Sequence, residues 1–195
     1  KAYIKRSRKT GLPPGSLVHI GEERTEKIRI TVVDYAEEHF EEREIQSACE
    51  LAPYFGKPTM TWVDVVGIHD PHVIEEVCSQ FEIHPLLMED IMNTTQRPKI
   101  DDLGKYICLI VKLITFDEKT VDLRIEQLSL VFNDDFVLSF QESESGIFKP
   151  LRERIRSGLG RIRTRGTDYL VYTLMDAVVD HYFVVMEQMG EKIDS

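Results

Sequence analysis

The sequence predicts an α/β fold of the α+β type: a mixed β-sheet sandwiched between helices (αβα), followed by the start of one long helix. Two patterns and one length predict it. In the first half, short β-branched and aromatic runs alternate with amphipathic helical stretches, which places helices against a sheet. Between residues 106 and 141, three apolar runs follow one another across tight polar connections, the signature of an antiparallel meander. From residue 168 a helical pattern runs unbroken to residue 195, about 42 Å at the α-helical rise, longer than a domain of this size needs for its own cover.

The elements follow in order. Residues 1–23 begin basic (Lys1, Lys5, Arg6, Arg8, Lys9) and turn at Pro13, Pro14 and Gly15, reading as a tail, a turn and a short edge segment. Residues 27–35 alternate Ile28, Ile30 and Val32 against Arg29 and Thr31, a strand. Residues 37–51 carry Phe40, Ile45 and Ala48 among charges, which suits a short surface helix. Pro53, Gly56 and Pro58 break the chain, and residues 59–66 form a second strand. Asp70 and Pro71 supply an N-cap and a favoured first helical residue for the apolar face of Val73, Ile74, Val77, Cys78 and Phe81. Pro85 starts another short helix over residues 86–92, and Pro98 closes that region. The meander runs over 106–116, 123–132 and 136–141, and a basic amphipathic helix covers 147–157. Thr167 or Asp168 caps the last helix.

Bulk properties narrow the function. Of 195 residues 42% are apolar, enough for a core, and the net charge of −10 opposes phosphate backbones, so no nucleic-acid partner is expected. An acidic surface does attract cations, although most acidic proteins are simply well solvated. Cys49, Cys78 and Cys108 are odd in number and lack CxxC spacing; Cys78 and Cys108 sit in apolar patterns and read as buried thiols, not a zinc or disulfide framework. No apolar run approaches the ~18 residues of a membrane span, and no signal peptide is visible. The chain opens on Lys1 and stops inside a helical pattern, so both ends read as the boundaries of a piece. Phosphate-loop, dinucleotide and HExxH motifs are absent, and no Ser or Cys elbow accompanies His69 and His72, so an enzyme is not expected.

Two constellations could carry chemistry. In the stretch from His84 to Asn93, Leu87 and Ile91 stand one turn apart and face inward, which puts Glu89 and Asp90 on the more exposed side beside Asn93. Those are oxygen donors for a hard cation; the plainer reading is a solvated helix face. On the last helix, Asp176, Asp180, Glu187, Glu191 and Asp194 fall within an arc of roughly 60°, a mildly self-repelling stripe unless cations or a basic partner answer it. Val171, Leu174, Met175, Val178, Tyr182, Val185, Met186 and Met189 line the opposite side as a core or interface face.

In order along the chain, LPPG (12–15), TW (61–62), GIH (67–69), IHPLLMEDIMNTTQRPK (83–99), EQLSL (126–130), FQE (140–142), PLRERIR (150–156) and DYLVYTLMDAVVDHYF (168–183) resemble the soluble domain of CorA-type magnesium/cobalt channels. The resemblance implies a cytosolic αβα domain over 1–166 and the beginning of a stalk helix over 167–195, with the transmembrane domain and its Gly-Met-Asn pore outside this chain. It implies homopentamers in the cell membrane with this segment on the cytoplasmic side. It implies regulatory Mg2+ (Co2+ possible) bound between protomers and favouring the closed state. The implied metal residues are Asp90, Glu89 and Asp176, with a further aspartate from a neighbour's stalk beyond residue 195. Thr95 departs from the histidine some members carry there, which weakens a second site. A ZntB-like zinc transporter is the alternative on the same fold; a soluble binding module is a more distant one. The metal reading requires that Glu89 and Asp90 are not locked in internal ion pairs.

Overall fold

The computed structural model describes residues 17–20, 27–117, 120 and 122–194; the basic tail and the LPPG turn lie outside the described residues. Seven strands form one sheet: β1 (Arg29–Ala36), β2 (His39–Ile45), β3 (Met60–Val66), β4 (Lys99–Asp102), β5 (Ile107–Asp117), β6 (Asp122–Phe132) and β7 (Phe136–Gln141). Their order is β2-β1-β3-β7-β6-β5-β4, and every neighbour pair is antiparallel except β3 with β7. The sheet is therefore mixed, and the β5-β6-β7 meander is as the turn chemistry predicts.

The helices divide between its faces because strand side chains alternate. Val32, Val63, Val65, Leu138 and Phe140 point to one side, where they bury α1 (Pro71–Gln80), α2 (Pro85–Met92) and a 3-10 segment at Ala48–Tyr54. Val33, Tyr35, Trp62, Leu130 and Val137 point to the other, where α3 (Lys149–Ser157) and α4 (Thr167–Asp194) pack. The αβα sandwich and long final helix follow.

Two edge strands correct the sequence reading. Residues 37–51 are not a helix: β1 turns at Glu37-Glu38 directly into β2, with Ala36 opposite His39, and the 3-10 segment follows behind a Ser47/Glu50 capping box. Residues 99–102 form β4, a strand to which the sequence reading assigned no element.

α3 is fixed to the sheet by a buried polar group. Asp64 is 2% exposed and accepts from Gln141 Nε2 at 2.8 Å, from Ser139 and from the Arg152 guanidinium of α3. Arg152 also stacks over Trp62 at 4.8 Å, and Trp62 Nε1 donates to Ser139 at 2.8 Å. Each charge and donor in this group has a partner, the condition under which burial of an ion pair is tolerated.

Candidate metal site on the second helix

α2 is short, and its ends are held by neighbours. His84 is its N-cap, its Nδ1 accepting from Leu86 N at 3.2 Å, and Pro85 fills the first turn. The His84 amide donates to Tyr106 Oη at 2.7 Å. Leu87, Met88, Ile91 and Met92 are buried in the core. At the C-terminal end Gln127, 1% exposed on β6, donates through Nε2 to the carbonyls of Asp90 and Ile91, each at 3.1 Å. Those carbonyls lack an intrahelical partner, so the Gln127 amide caps this end of the helix from across the fold. Ile20 adds a bridge to Asn93 and accepts from Thr94 N at 3.0 Å.

This packing leaves Glu89 and Asp90 half-buried at the rim. Asp90 is not an open carboxylate. Its Oδ1 accepts from Gln96 Nε2 at 2.6 Å, and its Oδ2 accepts from Lys99 Nζ at 2.7 Å. Lys99 Nζ also meets Asp101 Oδ2 at 2.8 Å, so one ammonium bridges two carboxylates. Burial pulls the Lys99 pKa down, but its hydrogen bonds to Asp101 and Asp90 outweigh that, and the net shift is upward. The expectation that Asp90 stands clear of internal ion pairs is thus corrected: Gln96 and Lys99 of the QRPK stretch close over it. Neighbouring Asn93 accepts from Thr95 Oγ1 at 2.7 Å, so Thr95 turns back onto the loop.

Asp176 lies elsewhere. It is exposed on α4, has no hydrogen-bond or ion-pair partner among the described residues, and belongs to the layer opposite α2. Asp180, Glu187 and Glu191 share its exposure; the side chain of Asp194 is outside the described residues. Beside this acidic row runs an apolar one: Tyr172, Val179, Phe183 and Met186 are each 45% exposed or more. Met186 belongs to the face read from the sequence as core or interface. By length and composition α4 could also cross a membrane. In this structure Leu170, Val171, Leu174 and Val178 bury it against the sheet.

The donors at α2 are all oxygens, the chemistry a hard divalent cation takes. Yet no three His, Cys, Asp or Glu side chains among the described residues gather into a metal-sized group. The α2 and α4 layers do communicate: Tyr182 of α4 donates its hydroxyl to the Lys112 carbonyl on β5, and Lys112 Nζ donates to Thr94 O at 2.7 Å, just past α2. Burial holds the Lys112 pKa below its ordinary value, partly countered by Glu142.

A mixed sheet covered by helices on both faces and ending in a long helix is the fold of solved CorA soluble domains. The chain belongs to the family of CorA-like Mg2+ transporter proteins, whose model matches residues 57–195. It is 42% identical over 188 residues to the cobalt/magnesium transport protein CorA of Thermotoga maritima, covering 96% of this chain and 53% of that protein. The chain thus spans about half the length of that curated relative. The soluble domain of CorA from Methanocaldococcus jannaschii superposes with a TM-score of 0.63 at 11% identity, covering 89% of this chain and 64% of that one. The ZntB cytoplasmic domain from Vibrio parahaemolyticus superposes with a TM-score of 0.59 at 9% identity, covering 85% of this chain and 64% of that one. At such identities the likeness shows the fold alone.

Proposed function

We propose that this chain is the cytoplasmic, cation-sensing domain of a pentameric Mg2+/Co2+ channel, and that Mg2+ bound between neighbouring domains favours the closed state. Family membership at 42% identity to a cobalt/magnesium transport protein is the observation that carries the reading, and it favours magnesium over the zinc alternative. Residues 1–166 are the sensing domain, and residues 167–195 begin the stalk towards the membrane.

Two features support an intersubunit site. Asp90 and Asp176 hang from opposite layers of one chain, so a shell using both needs a second copy. The exposed apolar row of α4 beside its acidic row also gives a helix face suited to burial against another copy. Mg2+ keeps several waters and binds through one or two carboxylates, so each such site is weak and suits an abundant ion. Asp90 is the principal ligand once an ion takes the place of its Lys99 partner; Glu89 contributes to the neighbouring site, Asp176 matches the acidic position at the start of the stalk helix, and a further aspartate comes from a neighbour's stalk beyond residue 195. The ion shifts the gating equilibrium only by its differential affinity for the two states, and several weak sites around a ring supply together what one does not.

The test is ion flux through the full-length protein in vesicles as internal Mg2+ is raised. Flux through the unmodified protein falls as Mg2+ rises. Asp90→Asn shifts that fall to at least several-fold higher Mg2+. An unchanged inhibition curve in Asp90→Asn refutes the assignment.

A further inference from the structure

Three observations around Asp90 point one way. Both of its oxygens are engaged, by Gln96 at 2.6 Å and by the Lys99 ammonium at 2.7 Å. The backbone of Lys99 is held: Pro98 precedes it, and its residue pairs with Ile110 in the β4-β5 ladder. Its side chain is not confined to one partner, because Asp101, two residues along the same strand face, takes the same ammonium at 2.8 Å.

We infer that Lys99 is a tethered resident cation that competes with divalent ions for Asp90 and thereby sets the affinity of that position. The inference rests on the proposed role of Asp90 as a cation ligand. An incoming divalent ion does not fill a gap there; it displaces the ammonium. The displacement is cheap because Asp101 serves as a parking partner. Lys99 keeps an ion pair in both positions, and all three side chains remain partly open to water. Exposed pairs of this kind are individually weak, so a doubly charged ion can outcompete one end of the bridge. Gln96, an uncharged donor, turns its carbonyl oxygen toward a cation by rotating its amide. The device makes the position a threshold detector: low Mg2+ leaves the lysine seated, and high Mg2+ moves it to Asp101.

Residue choice matters here. An arginine would grip Asp90 through a planar fork and release it reluctantly, whereas a lysine ammonium is a compact point charge on a flexible stem. A methionine keeps the apolar stem and lacks the competing charge.

The test is Mg2+ titration by calorimetry on the full-length protein, with thermal unfolding run alongside to confirm folding. Lys99→Met binds Mg2+ about five- to ten-fold more tightly, and Lys99→Arg binds it more weakly than the unmodified protein. Adding Asp90→Asn to Lys99→Met abolishes the gain. If Asp90→Asn weakens Mg2+ binding while Lys99→Met leaves it unchanged or weaker, the competitor role is overturned and the Asp90 site stands. If Asp90→Asn leaves binding unchanged, the site itself is overturned. A purely structural role for Lys99 would lower the unfolding temperature without tightening Mg2+ binding.

Discussion

The oxygens of Asp90 are occupied by Gln96 and Lys99, so a cation reaching this carboxylate exchanges partners. That contact was invisible in the sequence. Glu89 and Asp90 were legible as candidate ligands from their helical position, but the lysine that closes over Asp90 stands nine residues on, behind a proline and in a strand with no hydrophobic period. Gln127 was missed for a similar reason. It lay in a recognisable motif, yet nothing local to 126–130 says that its amide caps a helix more than thirty residues earlier. The buried thiols were readable, because Cys78 and Cys108 occupy apolar positions, and both prove fully buried. Burial pushes the Cys108 pKa up to about 12 and that of Cys78 higher still, so both stay protonated and lack the reactive thiolate. Alkylation of the folded protein at pH 8 should therefore label Cys49 alone, and mass spectrometry reads the result; labelling at Cys78 or Cys108 without denaturant contradicts the packing.

Among the elements, those buried on both sides were legible and the edges were not. β3 and the meander carry β-branched and aromatic runs whose period identifies them. β2 and β4 stand at the two ends of the sheet and are rich in charge. Edge strands blunt themselves with such residues, and that erases the alternation by which strands are read. The β1-β2 turn compounds this, since Glu37-Glu38 carries none of the glycine or asparagine that flags a two-residue hairpin. The energetic consequence of the layering is sharpest at α3. Asp64 is sealed in, and Arg152 is its counter-charge. Arg152→Met leaves that carboxylate buried and unpaired, which costs about 3–5 kcal/mol. Thermal unfolding should show a fall of roughly 6–20 °C, whereas a fall within about 2 °C would mean the pair contributes little. Arg152 lies far from Asp90 in the fold's layers, so this variant tests the scaffold and not the sensing role.

At the scale of the whole molecule, the fold sets the acidic groups of the proposed site on two separate layers. α2 presents Glu89 and Asp90 on one layer; α4 presents Asp176 and its acidic row on the other, next to Tyr172, Val179, Phe183 and Met186. In the ring of copies proposed above, those layers would face one another. On that proposal the carboxylates repel without cations, and with them the apolar rows are drawn into contact. Within each chain, hydrogen bonds through Tyr182, Lys112 and Thr94 connect α4 to the end of α2.

The most direct test measures how neighbouring domains are held. A spin label at Leu159→Cys, an exposed position away from α2, reports distances between protomers of the full-length protein once Cys49 is replaced by serine. Pulsed electron resonance should show a broad distribution without Mg2+ that narrows to one set of distances when Mg2+ is added. Asp90→Asn should stay broad at the same Mg2+ concentration. Equal narrowing in Asp90→Asn would contradict a bridging role for this carboxylate.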